Sequence, residues 1–478
     1  MAVLEGLKPE KVFRYFEEIC QIPHGSGNTK ELSDWLAAFA KERNLECYQD
    51  ELNNIIIIKE ASPGYEDSEP VIIQGHMDMV CDKTADCTKD MTKEGLDLVI
   101  DGDIISAKGT TLGGDDGVAV AFMLAILDDD ALNHPRVETV FTVDEETGLY
   151  GAEAIDVSPL KGKRFINLDS EDEGILTVGC AGGVTAIASL PIHRESYEGQ
   201  AFQLELSGFI GGHSGTEIIR GQENAIKVIG RLLYELQEQA AARIVTINGG
   251  VADNVIPVSV SALIVSPEGE KVKALCDEYC AIFKHEFKMD PDFQMSLCET
   301  ETDALPFDAV TSQKVLAYLC GTPNGIEKMT VGIDGLPQTS LSLGILRTEE
   351  NTVDYTFCIR SAVDSECEML ARRLENQAKV LGGTVRREGP YPGWEYAADS
   401  PLRDLVCRVY HEQTGKDMVI EAIHAGLECG FFAGKMPGLD CVSIGPDVRD
   451  VHTPNETLSI SSVQRTWNLV SEVLAQMK

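Results

Sequence analysis

The most informative stretch of the sequence is Thr110-Thr111-Leu112-Gly113-Gly114-Asp115-Asp116-Gly117-Val118-Ala119-Val120-Ala121-Phe122-Met123-Leu124-Ala125-Ile126-Leu127. Its second half is apolar with small residues on every turn, which predicts a helix buried on most sides. Its first half is a glycine-rich loop that ends in two adjacent acids. A buried carboxylate is unfavourable unless a cation or hydrogen-bond donors compensate it. One acid could simply cap the helix, so other ligands in the chain must decide whether Asp115 binds a metal.

Length and composition predict a globular protein of two domains. A chain of 478 residues is longer than a single hydrophobic core usually supports. The net charge is −38, from 78 acidic and 40 basic residues, so we expect no nucleic-acid or membrane partner. Fourteen cysteines lack a CxxC pair. With no signal-like leader and no stretch of membrane-spanning length, we expect reduced thiols in a cytoplasm.

Apolar runs that alternate with helices predict an α/β fold with an open, mainly parallel sheet sandwiched by helices. Buried strands are predicted at residues 53–59, 70–80, 137–143, 163–168 and 440–445. From about residue 182 to 397 the pattern changes to period-two strands and amphipathic helices. The predicted organisation is therefore a catalytic domain made of residues 1–181 and 398–478, with an inserted α+β domain at 182–397.

Polar residues follow the predicted strands at their carboxyl ends, where ligands bind in open α/β sheets. These residues are His76 and Asp78, Glu145 and Glu146, Asp169, and, by way of a loop, His452. Asp115 opens its helix at what could be the same edge. Each has an ordinary reading when taken alone: His76 as a core or turn histidine, and 144–146 as a solvated acidic loop. One shared site explains the common placement better than separate coincidences do.

Two imidazoles and three carboxylates suit a pair of divalent ions, with Zn²⁺ first and Mn²⁺ or Co²⁺ as substitutes. Five ligands make two sites only if one bridges, and Asp115 in its tight loop is the natural bridge. Two ions about 3.5–4 Å apart clamp a hydroxide and polarise a carbonyl. Hydrolysis also needs a base that is not a ligand. Because neighbouring side chains diverge, one of Glu145 and Glu146 can bind metal while the other faces the water.

The chain resembles the M20 family of metallopeptidases, and within it the aminoacyl-histidine dipeptidase branch, also called Xaa-His dipeptidase or peptidase D. The resemblance is collinear over essentially the whole chain. The matching segments are Gly75-His76-Met77-Asp78, Gly113-Gly114-Asp115-Asp116-Gly117, Asp144-Glu145-Glu146-Thr147-Gly148, Asn167-Leu168-Asp169-Ser170, Gly211-Gly212-His213-Ser214-Gly215, His424-Ala425-Gly426-Leu427-Glu428-Cys429-Gly430 and residues 443–456.

The resemblance implies a zinc-exopeptidase-like catalytic domain with two zinc ions, and it implies that the insert is a lid domain. One zinc would be held by His76, Asp115 and Asp169. The other would be held by Asp115, Glu146 and His452. Asp78 would be the partner of His76, and Glu145 would be the general base and acid. The resemblance also implies a cis peptide bond after Asp115.

Substrate-binding residues are implied in the same way. His213 would stabilise the tetrahedral oxyanion, and Asn254 and Arg360 would hold the substrate carboxylate, which an arginine fork suits. Gly426 and Glu428 would line the substrate pocket, with Glu428 near the free amine. The ordinary alternatives for the first three are a loop histidine, a turn asparagine and a surface arginine. The sequence leaves open whether a homodimer forms and whether His213 acts in its own chain.

The function implied is that of a cytoplasmic dizinc dipeptidase acting on small peptides. It would cleave dipeptides with a free N-terminus, including Xaa-His and β-alanyl-histidine, by metal-bound hydroxide with Glu145 as base. One alternative is another M20 hydrolase, either a tripeptidase or an N-acyl amino acid amidohydrolase. The long insert and residues 427–430 favour the dipeptidase. A second alternative is a catalytically silent metal-binding or scaffold protein, against which the presence of all seven polar residues argues.

Overall fold

The apolar runs that the sequence marks as strands lie in one sheet in the computed structural model, which describes residues 3–478. Up to residue 180 the elements are α1 (Glu10–Cys20), α2 (Lys30–Glu42), β1 (Glu46–Gln49), β2 (Ile55–Lys59), β3 (Val71–His76), β4 (Leu98–Asp101), β5 (Ile104–Ala107), α3 (Gly114–Leu127), β6 (Val137–Thr142), α4 (Tyr150–Ala154), β7 (Arg164–Asn167) and β8 (Ile175–Cys180). The next elements are β9 (Gly182–Pro191), β10 (Gln200–Ser207), β11 (Gly212–His213), α5 (Ala225–Ala240), β12 (Arg243–Gly249), β13 (Val255–Ile256), β14 (Val260–Ser266), α6 (Gly269–Glu286), β15 (Gln294–Thr300), α7 (Ala309–Gly321), β16 (Gly325–Met329), β17 (Pro337–Thr348), β18 (Thr352–Ser361), α8 (Asp364–Val380) and β19 (Thr384–Tyr391). The last are α9 (Pro401–Thr414), β20 (Val419–Ile423), α10 (Glu428–Lys435), β21 (Asp440–Ser443), β22 (Val448–Arg449), β23 (Thr457–Ser459) and α11 (Ile460–Gln476).

The first sheet has eight strands in the order β1-β2-β6-β3-β7-β21-β8-β20. Its centre is parallel, because β6, β3, β7 and β21 pair in the same direction. Towards the edges β1 pairs with β2, β2 with β6 and β21 with β8 in antiparallel fashion. Every residue of β3 and β6 is buried, as expected for strands covered on both faces. The α/β fold with a mixed sheet is therefore confirmed, and the sheet is parallel at its centre.

Helix α3 is the buried helix that the sequence predicts. All of its residues except Asp115 are buried, and it packs against α1 and β3. Phe122 stacks on Trp467 of α11, with ring centroids 5.9 Å apart. Each fully buried side chain such as Phe122 or Leu124 stabilises the fold by roughly 1.5–3 kcal/mol. The helix therefore fixes the position of the loop that precedes it.

The second sheet lies within the predicted insert. Its strands follow the order β15-β10-β14-β12-β17-β18-β9-β19, with β16 beside β17. Its pairings are antiparallel, and helices α5 to α8 pack against it. The first and second halves of the insert share this one sheet, because β12 pairs with β17.

Residue contacts divide the chain into two units. The first contains residues 1–179, 394–422 and 427–478, and the second contains 180–393 and 423–426. The short piece 423–426 lies in what the sequence assigns to the catalytic domain. It belongs to the second unit because the backbone N–H of Ala181 donates to the carbonyls of Ile423 and Ala425, each at 3.1 Å. Among the described residues, no helix combines the length and the apolar character needed to cross a bilayer.

Candidate metal centre and substrate-binding residues

Three neighbouring parallel strands bring His76, Glu145, Glu146 and Asp169 to one edge of the first sheet. Strand β3 lies between β6 and β7, and His76 at its end pairs in register with Thr142 of β6. The turn after β6 carries both glutamates, and Asp169 follows the last residue of β7 by two positions. Because parallel strands place their carboxyl ends at the same edge, these side chains converge there.

Asp115 lies at the entry of α3 but does not cap it. The N-cap position is Gly113, with the left-handed φ of 68° that glycine tolerates best, and no side-chain hydrogen bond caps the helix. Asp115 and Asp116 have non-helical backbone angles, and the peptide bond between them is cis, as the resemblance implies. The simpler interpretation of Asp115 as a helix cap is therefore wrong.

The Asp115 carboxylate lies between two imidazoles. Its Oδ1 is 3.1 Å from His76 Nε2, and its Oδ2 is 3.2 Å from His452 Nε2. His76 Nε2 is also 3.5 Å from Asp169 Oδ1, and His452 Nε2 is 3.0 Å from Glu146 Oε2. His452 reaches this position from the loop between β22 and β23. The five residues thus form two groups that share Asp115.

The spacing of these atoms fits divalent cations. Two ligand atoms at 2.0–2.2 Å from a tetrahedral zinc lie about 3.4 Å apart, and the four distances above range from 3.0 to 3.5 Å. Glu146 Oε1 is buried and has no hydrogen-bond partner among the described residues, so a cation would compensate it. Groups whose ligand atoms lie within 4.8 Å of one another are His76/Asp116/Asp169, His76/Glu145/Glu146 and Asp115/Glu146/His452.

Asp78 connects His76 to the turn that carries the two glutamates. Its Oδ1 is 3.5 Å from His76 Nδ1, while its own carbonyl oxygen is closer to that nitrogen, at 3.0 Å. The backbone N–H of Glu145 donates to Oδ1 at 3.1 Å, and the Ser26 hydroxyl donates to Oδ2 at 2.8 Å. Asp78 is 1% exposed, so these bonds lie in a dry environment that holds the turn and the imidazole together.

Negative charge is crowded in this region. Burial, together with the charges of Asp169 and Glu428, raises the pKa of Glu145 well above its ordinary value. Burial also raises the pKa of Asp169 to about 6, with Asp115 and Glu146 adding to the shift. Hydrogen bonds to Asp115 and Glu146 raise the pKa of His452 to about 10. A bound cation would relieve this repulsion.

Glu428 begins α10 and is completely buried. Its Oε2 accepts hydrogen bonds from Gln74 Nε2 at 2.5 Å and from the Thr142 hydroxyl at 2.6 Å. Its Oε1 has no partner among the described residues. Burial raises the pKa of Glu428 to about 8. The sequence predicts Glu428 as a pocket residue but gives no sign of its bonds to Gln74 and Thr142.

In the second unit, His213 lies beside Arg360. Arg360 Nη2 is 3.4 Å from His213 Nε2, and Nη1 donates to the Tyr391 hydroxyl at 2.8 Å. Arg360 is 6% exposed, its Nε has no partner, and no carboxylate among the described residues forms an ion pair with it. The alternative of a surface arginine is therefore wrong, and a buried guanidinium without an anion suits an anionic ligand.

Asn254 and Gly426 also belong to the second unit. Strand β11, which contains His213, pairs with β13, and the Ser214 N–H donates to the Asn254 carbonyl at 2.8 Å. The Asn254 side chain is exposed, and no hydrogen bond joins it to Arg360 among the described residues. Gly426 is partly buried.

Two buried acids near the metal candidates have no role in the sequence analysis. Asp116 Oδ2 accepts the backbone N–H of His76 at 3.2 Å, and burial raises its pKa well above the ordinary value. Glu456 binds the loop before Asp115 through four backbone amides. The available signal for Glu456 was its position four residues after His452, in a segment that the resemblance includes.

The chain is similar in sequence and in fold to known peptidases. Residues 72–476 match the profile of a family described as Peptidase family M20/M25/M40. The cytosol non-specific dipeptidase of Escherichia coli (strain K12) is 35% identical over 482 residues, covering 100% of this chain and 99% of that protein. The crystal structure of aminoacylhistidine dipeptidase from Vibrio alginolyticus has a TM-score of 0.94 at 36% identity, covering 98% of this chain and 97% of that one. Aminopeptidase PepT from Bacillus cereus shares the fold, with a TM-score of 0.56 at 16% identity over 98% of this chain and 99% of that one.

Proposed function

We propose a function on the premise that this chain belongs to peptidase family M20/M25/M40. It hydrolyses the peptide bond of dipeptides that have a free amino terminus, including Xaa-His and β-alanyl-histidine. The observation that carries this proposal is the cluster around Asp115, in which imidazole nitrogens and carboxylate oxygens lie 3.0 to 3.5 Å apart. The names of the two relatives matched over their full length support the dipeptide as substrate.

The metal complement proposed is two Zn²⁺ per chain, with Mn²⁺ or Co²⁺ as substitutes. His76, Asp115 and Asp169 would hold one ion. Asp115, Glu146 and His452 would hold the other. Imidazole and carboxylate ligands suit these borderline ions. A divalent ion bound here supplies Lewis-acid chemistry, because it polarises a carbonyl and lowers the pKa of a water molecule.

Glu145 is the proposed general base and acid. Its carboxylate lies within 4.8 Å of ligand atoms of His76 and Glu146, but neither of the two proposed sets of metal ligands needs it. Asp78 holds its backbone N–H and so fixes the turn from which the side chain projects. Glu145 takes a proton from the attacking water and passes it to the nitrogen of the leaving amine, which balances the hydrolysis.

The proposed substrate-binding residues match the charged ends of a dipeptide. Arg360, with Asn254, holds the C-terminal carboxylate, since a guanidinium fork can donate two parallel hydrogen bonds. His213 stabilises the oxyanion that forms on the attacked carbonyl. Glu428 Oε1, a buried acceptor without a partner among the described residues, accepts from the substrate amine, and Gly426 is a further proposed substrate-binding residue.

A cytoplasmic location is proposed as well. The described cysteines form no disulfide, which is usual for proteins of a reducing compartment. The word cytosol in the name of the Escherichia coli relative supports the same location.

Hydrolysis of a peptide panel tests the function. Dipeptides, N-acetylated dipeptides, tripeptides and N-acyl amino acids are offered to metal-free and Zn²⁺-reloaded protein. We expect turnover of free dipeptides only, and only after reloading. Cleavage of tripeptides or acylated amino acids without dipeptides would select another hydrolase of the family, and no turnover with bound metal would select a silent metal-binding protein.

The role of Glu145 is tested by Glu145→Gln, with Glu153→Gln on the exposed side of α4 as the matched control. Glu145→Gln should lower kcat by roughly 10²–10⁴-fold while the bound metal, measured by elemental analysis, stays the same. Glu153→Gln should change neither quantity. Undiminished turnover in Glu145→Gln would remove this residue from the mechanism.

A further inference from the structure

The loop between β22 and β23 carries both His452 and a buried acid, Glu456, which is 2% exposed. The Glu456 carboxylate accepts four consecutive backbone N–H groups. Oε2 accepts from Leu112 at 2.7 Å and Gly113 at 3.0 Å, and Oε1 accepts from Gly114 at 2.7 Å and Asp115 at 3.2 Å. The Glu456 side chain therefore satisfies the four consecutive backbone amides of residues 112–115, the segment that ends in Asp115.

We propose that Glu456 is a positioning residue that sets the Asp115 carboxylate between the two imidazoles, and hence sets the affinity and geometry of the metal centre. This inference rests on the proposed metal sites. The loop needs such an anchor because Gly113 and Gly114 have no side chains to restrict it, and glycine loses the most conformational freedom on ordering. Asp115 itself lies outside the regular part of α3, so the hydrogen bonds of that helix do not direct it.

The position of Glu456 links the two groups of candidate ligands. His452 contacts Asp115 Oδ2 directly, and Glu456 from the same loop holds the Asp115 backbone. The loop is closed by a turn in which Glu456 N–H donates to the Thr453 carbonyl at 3.1 Å. One segment thus supplies an imidazole and also fixes the carboxylate that this imidazole faces. Outer partners of this kind orient metal ligands and tune metal affinity.

The fit around this anchor is close. A Cβ atom added to Gly114 would lie 3.2 Å from Glu456 Oε1 and 3.3 Å from Val448 Cγ1. A side chain at this point would crowd the Glu456 carboxylate, so glycine suits the close approach of the loop. The competing interpretation is that Glu456 merely stabilises the start of α3, which acids favour at a helix N-terminus. Only a role of Glu456 in positioning Asp115 predicts a change in metal binding by the folded protein.

Metal binding without substrate separates the two interpretations. Glu456→Gln keeps the shape but leaves two of the four N–H groups facing an amide NH₂ that cannot accept. Glu456→Asp keeps the charge and should rescue part of the effect. Zn²⁺ affinity is measured by competition with a chromophoric chelator, and ligand geometry by the visible spectrum of Co²⁺-loaded protein. We expect Glu456→Gln to weaken Zn²⁺ binding roughly 10–100-fold, to change the Co²⁺ spectrum, and to lower kcat with little change in KM.

Glu138→Gln is the matched control. Glu138 is fully buried, and its Oε2 accepts backbone N–H groups from Lys161 at 2.8 Å and Gly162 at 3.0 Å. It lies near the start of β6, whereas Glu145 follows the end of that strand. The control should lose thermal stability as Glu456→Gln does but should keep wild-type metal affinity and spectrum.

The outcomes are distinct. Wild-type Zn²⁺ affinity and a wild-type Co²⁺ spectrum in folded Glu456→Gln would overturn the inference. If that variant does not fold, the same criterion applies to Glu456→Asp, whose affinity should lie below that of the wild type. A wild-type protein that binds no divalent ion would instead overturn the proposed function.

Discussion

Replacing Arg360 by methionine should make the protein more stable and less active. Methionine has nearly the shape of the arginine stem but no charge. Arg360 is 6% exposed, its Nε has no hydrogen-bond partner, and it forms no ion pair with the described carboxylates. Its neighbours are the Tyr391 hydroxyl at 2.8 Å and His213 Nε2 at 3.4 Å. Such a residue weakens the fold, and a substrate carboxylate would be the missing partner.

The magnitude follows from two opposing effects. An uncompensated buried charge costs about 3–5 kcal/mol, and removing it regains that amount. Loss of the donor to Tyr391 costs about 1–2 kcal/mol. We therefore expect Arg360→Met to raise the free energy of unfolding by about 1–4 kcal/mol. Loss of a charged hydrogen bond to the substrate costs about 1.5–3 kcal/mol, which lowers kcat/KM by about 10- to 150-fold.

The assay combines urea unfolding with the hydrolysis of a dipeptide and of its C-terminal amide. The deficit of Arg360→Met should appear with the free acid and disappear with the amide, which lacks the carboxylate. Arg347→Met is the control, because Arg347 donates to the carbonyls of Gly249 and Gly250, each at 2.6 Å. That variant should lose stability and keep its preference for the acid. The reasoning is refuted if Arg360→Met is destabilised like the control, or if it retains the wild-type preference for the acid over the amide.

Three further predictions concern the first unit and its metal centre, and one of them uses a control in α7. Gly75→Ala should lower the free energy of unfolding by about 1–3 kcal/mol, because the added Cβ would lie 2.4 Å from Asp116 Oδ2 and 2.6 Å from the Ala119 Cβ. The control Gly321→Ala in α7 should not lower it, because a Cβ added there would have no neighbouring atom within 4 Å. Chelation should lower Tm and Zn²⁺ should restore it, since an ion present at 1,000 times its Kd stabilises by about 4 kcal/mol; an unchanged Tm would contradict the metal sites. In metal-free protein, Glu428→Gln should gain stability relative to the wild type as pH rises from about 4.5 to about 8, the window between the ordinary pKa and the raised pKa of Glu428. In this window the native wild type keeps a proton that the unfolded chain releases, so a rise in pH favours unfolding of the wild type but not of the variant. Parallel pH profiles of unfolding for the two proteins would contradict this last expectation.

The fold could be predicted from the sequence wherever burial leaves a local pattern. Strands β2 and β3 and helix α3 are continuous apolar runs, and the structure buries them on all sides. Strands β15 and β19 leave no such signal, because most of their residues are exposed and so carry no apolar pattern. Strand β15 pairs only with β10, and β19 only with β9, at the two edges of the second sheet. Edge strands are defined by backbone pairing, which the side-chain pattern does not record.

The residues of the candidate site also differ in whether a local sequence pattern marks them. His76, Glu145, Glu146 and Asp169 follow strands whose parallel order the sequence indicates, so their shared edge could be predicted. The loop that carries His452 has no periodic pattern, so the sequence indicates this residue only by its position after a strand, and the resemblance supplies the ion that it would hold. Glu428 and Glu456 contact residues 354 and 344 positions away, in Gln74 and Leu112. No local pattern encodes such contacts, so their partners became visible only in the folded chain.

Buried acids that stabilise the fold and buried acids proposed to bind ligands differ in how many of their carboxylate oxygens accept hydrogen bonds. Both oxygens of Glu138 and of Glu456 accept hydrogen bonds. Glu146 and Glu428 each have one buried oxygen without a partner. Folded proteins rarely leave a buried acceptor unpaired. An unpaired oxygen is not sufficient, because Asp290 has one too and belongs to no cluster of potential metal ligands. Glu146 meets a second condition, because its other oxygen, Oε2, lies 3.0 Å from His452 Nε2 in a cluster of potential ligands, and a cation bound there would compensate the charge of the buried carboxylate.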